Sequence, residues 1–133
     1  KKNFFYQKAY YQVIKRNLIE AQKFYLKKDF SDLTCNIILN INNFLKKKGK
    51  KIYFFVLPQL IDIKLFNESN NSYKFYKKLN TSTNVKIFDL TKKMTLIKNI
   101  NDYYVEDLYG GHLNKKGNKF VSKIIFKEIK NNS

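Results

Sequence analysis

The chain has 133 residues, of which 44% are hydrophobic and 17% aromatic, and its formal net charge is +17. This length predicts a single domain over residues 1–133, and the apolar content is enough for a core, which excludes a disordered tail. No run of 18 apolar residues occurs, which excludes a membrane-spanning helix. The lone Cys35 excludes an internal disulfide and a cysteine-based zinc cluster.

The positive charge comes almost entirely from lysine, because Arg16 is the only arginine. A charge of this size is typical of proteins that bind nucleic acid or an anionic surface. Readers of base edges and phosphates favour the planar fork of arginine, however. Lysine, Asn, Ile, Phe and Tyr are all abundant here and share AT-rich codons, so we favour solvated lysine faces. A basic, non-catalytic module that binds nucleic acid or another polyanion remains the alternative.

Residues 1–49 are predicted to form a helical region. Apolar residues recur at helical spacing from about Tyr6 to Lys28, which predicts the first helix. The segment Asp29–Asp32 interrupts the pattern and offers Ser31 or Asp32 as the cap of a second helix. That helix is predicted to end at Lys46–Gly49, where cations face the negative end of the helix dipole and glycine adopts a left-handed conformation.

Residues 50–133 predict a strand, a helix, a second strand, a loop and a closing helix. The run Lys51–Leu57 is apolar without alternation and ends at Pro58, which predicts a strand buried on both faces. Asn70-Asn71-Ser72 can cap the next helix, and the Asn80–Asn84 segment is predicted to be a loop. Val85–Asp89 predicts the second strand, with Leu90-Thr91 leading out of it.

The C-terminal part is less regular until its last helix. Lys92–Asp102 is poorly patterned and predicts a short helix and a loop. The apolar residues between Phe120 and Ile129 predict a closing helix of about 15 residues.

This order of elements predicts an α/β layered fold. A helix lies between the two strands, so the strands should be parallel neighbours or near neighbours. Two parallel strands make a poor sheet, since parallel sheets need several strands with both faces covered. We therefore expect the chain to be the second half of a larger sheet.

His112, the only histidine, marks the candidate site. In an open parallel sheet, ligands bind beyond the carboxyl ends of the strands, and Pro58-Gln59-Leu60, Asp89-Leu90-Thr91 and the His112 loop should gather there. A flexible Gly110-Gly111 turn, an imidazole and the nearby carboxylate of Asp107 are the parts of a general-base site. They are also the parts of an ordinary helix entrance, in which Asn114 is simply the cap.

The stretch from Asp107 through His112-Leu-Asn114-Lys-Lys-Gly117-Asn118 to Val121 resembles the C-terminal block of the SGNH, or GDSL-type, hydrolases. In that block a histidine followed by an asparagine and a nearby glycine opens the final helix. The strand that ends at Pro58 and the strand that ends in Asp89-Leu-Thr are also similar to strands of these proteins. The resemblance covers roughly residues 50–130.

The resemblance implies a partial three-layer, flavodoxin-like fold, hydrolysis of an ester of a small molecule, lipid or sugar, and no cofactor. It implies that His112 is the general base for a serine nucleophile. The family's orienting aspartate usually lies three positions before the histidine, where this chain has Tyr109, so we name Asp107 as the candidate. If no acid reaches the ring, a backbone carbonyl could fix its tautomer.

The family's nucleophile block is missing from the chain. None of the serines lies in a Gly-Asp-Ser or Gly-x-Ser-x-Gly context. We therefore expect the serine to lie in an absent first half of the fold and this chain to be inactive alone. A third possibility is a hydrolase-derived remnant that only supports a partner. The compartment and the oligomeric state are left open.

Overall fold

The computed structural model describes residues 2–105 and 111–132, with the side chains of residues 2–5 and 7 excepted. The elements within these ranges are the helices α1 Lys2–Phe24, α2 Lys28–Lys47, α3 Leu60–Lys64, α4 Asn71–Ser82, α5 Thr91–Thr95 and α6 Lys115–Asn132, the strands β1 Tyr53–Val56 and β2 Lys86–Asp89, and a 3-10 turn Ile100–Tyr103.

The two strands form a parallel pair, as the intervening helix predicted. Tyr53 pairs with Lys86 at one end of the sheet and Val56 pairs with Asp89 at the other. The backbone N–H of Leu90 donates to the carbonyl of Val56 at 3.0 Å, which extends the pairing past the end of β2. The chain is thus a mixed α/β structure, mostly helical, with a short parallel sheet flanked by helices.

Two apolar clusters hold the helices against the sheet. In the first, Ile38 of α2 and Leu79 of α4 pack against Val85 and Ile87, so these two helices cover one face of the strands. The second cluster joins the end of β2 to α3, α5 and α6 through the buried residues Ile63, Leu90, Met94, Tyr104 and Val121. Burying apolar area of this kind is the main favourable term in folding.

The reversal between α1 and α2 lies earlier than the sequence pattern predicted. Ser31 and Asp32 are inside α2, which begins at Lys28, so neither of them is its cap. The Ser31 hydroxyl donates to the Lys28 carbonyl within the helix. The ring of Phe30 packs on Tyr25 at a centroid distance of 5.1 Å, and aromatic packing across this corner fixes the turn in place of a side-chain cap.

The end of α2 was predicted correctly. Gly49 has φ +69°, and its N–H donates to the Lys46 carbonyl while the N–H of Lys50 donates to Leu45. These two bonds form a Schellman motif, which satisfies the last carbonyls of the helix.

Two further predictions need correction. β1 was predicted to be buried on both faces, but all four of its residues are only half-buried. In the described ranges β2 is its only strand neighbour, so β1 is an edge strand. The helix α4 continues through Ser82, so part of the predicted Asn80–Asn84 loop is helical. None of the helices in the described ranges is long and apolar enough to cross a membrane.

Candidate functional site at the carboxyl end of the sheet

The chain turns at Pro58–Leu60 where β1 ends, and the loop before α6 packs directly on this turn. Gly111 has φ +129°, a region that side chains rarely adopt, and a β-carbon there would lie 3.0 Å from Cβ of Gln59 and 3.3 Å from the Leu60 nitrogen. Glycine therefore permits both the backbone conformation and the close approach. The loop that carries His112 meets the carboxyl end of β1, as the sequence predicted.

A short antiparallel bridge between Tyr104 and Leu113 holds the His112 backbone. The N–H of Val105 donates to the His112 carbonyl at 2.9 Å. The buried Tyr104 hydroxyl donates to the Pro58 carbonyl at 2.8 Å, which ties this bridge to the end of β1. His112 is exposed, and within the described ranges its ring makes no hydrogen bond.

The acid predicted to orient the ring is Asp107. Asp107, the predicted partner, and Gly110 lie outside the described residues. Asp102, the next acid upstream within them, forms a 3.3 Å ion pair with Lys116 of α6. The geometry therefore brings His112 to the edge of the sheet and does not test its pairing with Asp107.

Asn114 is the N-cap of α6, as predicted. Its Oδ1 accepts a hydrogen bond from the Gly117 N–H at 3.0 Å, and its Nδ2 donates to the carbonyls of Asp102 and Tyr104 at 2.9 and 3.1 Å. One side chain thus caps the helix and fixes the chain that leads toward the His112 loop. The structural role of a cap is sufficient to explain this asparagine.

Two carboxylates lie at this edge, Asp89 at the end of β2 and Asp62 in the first turn of α3. Asp89 Oδ1 accepts hydrogen bonds from the N–H and hydroxyl of Thr91, while Oδ2 is buried without a partner in the described part of the chain. Asp62 Oδ2 accepts a bond from the Gln59 N–H at 2.8 Å. Burial raises the pKa of Asp62, the Gln59 N–H opposes this, and the charge of Asp89 adds to the rise.

A cleft of about 200 Å³ opens beside this turn. It lies between α1, the end of β1 and the start of α4, and its wall includes Pro58, Asp62 and Thr91. Its opposite wall is aromatic: the hydroxyls of Tyr25 and Tyr76 are 3.3 Å apart. Burial raises the pKa of Tyr76 and also that of Tyr104, so both phenols stay protonated donors at neutral pH. His112 is not among the residues that line the cleft.

No serine hydroxyl that the structure describes is hydrogen-bonded to His112. Ser69 and Ser72 line the cleft, but the Ser72 hydroxyl accepts a bond from Gln22 Nε2 at 2.9 Å. The Ser122 hydroxyl donates to a carbonyl of its own helix. Groups of three or more potential metal ligands are also absent from the described residues.

The sequence did not single out Gln22, which lines the cleft, or Tyr104, which bonds to the Pro58 carbonyl. Gln22 is 6% exposed and bonds to α4 through both side-chain atoms. Tyr104 is 3% exposed. A polar residue inside an apolar helical pattern was the available signal for Gln22, but its partner is 50 residues away in sequence.

Comparisons of the chain with protein-family models, with curated proteins and with solved structures give no match.

Proposed function

We propose that this chain is the C-terminal part of a serine-dependent ester hydrolase of the SGNH or GDSL type, with a partial three-layer, flavodoxin-like fold. The observation that supports it most is the packing of Gly111 on Gln59. It brings the exposed His112 to the carboxyl end of a parallel strand, the edge at which open α/β sheets bind ligands. The His112-Leu-Asn114-x-x-Gly117 sequence supports the same assignment.

In this proposal His112 takes the proton of a serine hydroxyl that attacks the ester carbonyl, and then returns it to the departing alcohol. The ring suits this role because it is exposed and unbonded in the described ranges while its backbone is fixed by Val105. Asp107 is the proposed orienting acid. The serine and the donors that stabilise the oxyanion belong to a polypeptide segment outside these residues.

The cleft beside the Pro58 turn is the proposed site for part of the substrate. Its walls combine apolar side chains such as Leu18 and Phe66 with the tyrosine hydroxyls. Such a wall fits an ester of a small molecule, lipid or sugar, because apolar groups bind the body of the ligand and a few polar groups fix its orientation.

Hydrolysis of p-nitrophenyl acetate by the complete translated polypeptide that contains these residues tests the proposal. His112→Ala should lower kcat by at least about 1000-fold, the loss typical of removing a general base from a serine triad. Lys115→Ala changes an exposed neighbour and should retain activity. The 133-residue chain alone should show no saturable turnover. Equal hydrolysis by wild type and His112→Ala, or none by either, would rule the proposal out.

Polyanion binding is the second candidate, and one surface feature favours it. A groove of about 580 Å³ between α2 and α4 is lined by Lys28, Lys74 and Lys78, with Asp32 as its acid. Lysines that contact a nucleic acid neutralise its phosphates and release counterions, so this binding weakens steeply as the salt concentration rises. Gel retardation of an unrelated DNA duplex at low salt, lost in a Lys74→Glu/Lys78→Glu variant, is the expected result. No retardation even at low salt would remove this candidate.

A further inference from the structure

At Ile87 the outer edge of β2 is occupied by a side chain. Asp89 pairs with Val56, and the Leu90 N–H bonds to the Val56 carbonyl, so the backbone groups of Lys86, Phe88 and Leu90 face β1. Those of Ile87 point the other way. There the Ile87 N–H donates to Asn80 Oδ1 of α4 at 3.0 Å. A further strand could not bond to Ile87 without displacing Asn80.

The outer edge of β1 is open. By the same alternation, Phe54 and Val56 face β2, and the N–H and C=O groups of Tyr53, Phe55 and Leu57 point away from it. Across the ranges that the structure describes, the sheet has two strands and nothing pairs with this side of β1. Natural proteins usually protect such edges with charge, proline or a bulge.

The strand at the open edge has the sequence of an interior strand. Residues 52–57 are Ile-Tyr-Phe-Phe-Val-Leu, with no charge and no proline. Yet none of the four residues of β1 is fully buried and Leu57 after it is 46% exposed, whereas Ile87 of β2 is 6% exposed and Val85 just before β2 is 1% exposed. The apolar strand at the open edge is therefore incompletely covered. A continuous apolar run is typical of a strand in a parallel sheet with both faces covered.

We propose that the outer edge of β1 is a binding surface for one further β-strand, supplied by another polypeptide segment. That strand must be apolar on both faces, because Phe54 and Val56 lie half-buried on one face of β1 and Tyr53 and Phe55 on the other. This pairing is independent of the ester chemistry, since it needs neither His112 nor a serine.

The positive charge of the chain limits which strand can bind at the open edge of β1. Lysines 46–48 and 50 precede β1 in the sequence, and a second copy of this chain would bring another net charge of +17 to the edge. Like charges at close range disfavour that pairing. The strand that fits is therefore an apolar one preceded by acidic residues and parallel to β1, so that its acids meet these lysines.

The test uses the whole chain and the synthetic peptide acetyl-Asp-Asp-Val-Ile-Val-Ile-Val-amide, with backbone amide exchange as the measurement. The Phe55 and Leu57 amides should exchange rapidly in the free chain and slow by about tenfold or more with saturating peptide. The Ile87 amide should not respond. The same peptide N-methylated at every valine and isoleucine has no free backbone donor along its apolar segment on either edge, cannot pair, and should protect neither amide.

Leu57→Pro removes one outward donor at an exposed position and should weaken peptide binding several-fold. If this variant does not fold, the N-methylated peptide tests the same bonds from the side of the ligand. The inference is overturned if the Phe55 amide is already protected from exchange in a dilute solution of the free chain. It is also overturned if the two peptides protect this amide equally, or if neither peptide slows its exchange. Protection that grows with protein concentration alone would identify a second copy and overturn the choice of occupant. His112→Ala should leave these results unchanged, which separates this inference from the hydrolase proposal.

Discussion

The carbonyl oxygen of Tyr103 lies closer than 3.0 Å to the position that a β-carbon on Gly117 would occupy, and the Leu113 side chain is also within this distance. Gly117→Ala should therefore push the start of α6 away from the 3-10 turn. We expect a loss of about 2 kcal/mol in the free energy of unfolding, in the range typical of overpacking. Urea denaturation monitored by circular dichroism measures it.

Gly49→Ala is the matched control for that substitution. A β-carbon at Gly49 meets nothing within 4 Å, so only its φ of +69° opposes alanine. The expected loss is about 1 kcal/mol, the cost of a left-handed residue with a side chain. If Gly49→Ala proves more destabilising than Gly117→Ala, the close approach of Tyr103 to α6 is not what requires glycine at position 117.

Asn114 stabilises two elements at once, and its variants can separate the two effects. Asn114→Ala removes the cap of α6 and both bonds to the carbonyls of Asp102 and Tyr104, so we expect a loss of about 2 kcal/mol. Asn114→Asp keeps an acceptor for the Gly117 N–H and loses only the two donations. Chemical denaturation should rank Asp between wild type and Ala, and equal stability of the two variants would contradict a capping role.

These residues show what the sequence could and could not predict. Local patterns were enough for the two strands, for the glycine end of α2 and for the Asn114 cap, because each depends on residues a few positions apart. The helix between the strands was enough for their parallel pairing, since connections of this kind are governed by a general rule of handedness and proximity.

The predictions that failed depend on contacts between different secondary-structure elements, which local sequence patterns do not show. The corner between α1 and α2 is set by Phe30 packing on Tyr25, which overrides the capping preference of Ser31. The burial of β1 was overestimated. Its apolar sequence is suited to contacts with other strands, but the described structure contains a neighbouring strand on one edge only. The Asp62–Asp89 arrangement depends on how the start of α3 lies against the end of β2, which no local pattern gives.

Gln22 caps α4 from another helix, a function that the sequence assigned to Asn70-Asn71-Ser72. The Ser72 N–H donates to Gln22 Oε1 at 2.8 Å, whereas the Asn70 side chain donates to the Phe66 carbonyl. Gln22→Leu keeps a similar volume and leaves the Ser72 N–H without its partner, so we expect a loss of about 2 kcal/mol. Asn70→Ala should lower the free energy of unfolding by less than about 1 kcal/mol, and urea denaturation of both variants measures the difference. If Asn70→Ala is the more destabilising variant, Asn70 and not Gln22 is the cap of α4.

Asp62 should make the stability of the chain depend on pH. Burial raises the pKa of Asp62 above its ordinary value of 3.8. The protonated form is therefore favoured in the folded state, and this contribution is complete below pH 3.8 and lost as the pH rises through the folded pKa. Asp62→Asn removes the buried charge and keeps an oxygen for the Gln59 N–H. The variant should gain stability over wild type as the pH rises through this window and hold a constant advantage above it.

Melting temperatures of wild type and Asp62→Asn from pH 3 to pH 8 measure this difference. Asp102→Asn is the control, because Asp102 is an exposed acid in a surface pair with Lys116 and its removal should change stability by less than about 1 kcal/mol. Asp89→Asn should lower the folded-state pKa of Asp62, because the charge of Asp89 contributes to its rise. The pH range over which the stability changes should therefore become narrower. If Asp62→Asn is less stable than wild type at neutral pH, the bond from the Gln59 N–H outweighs burial, and the carboxylate is ionised and stabilising at the edge of the cleft.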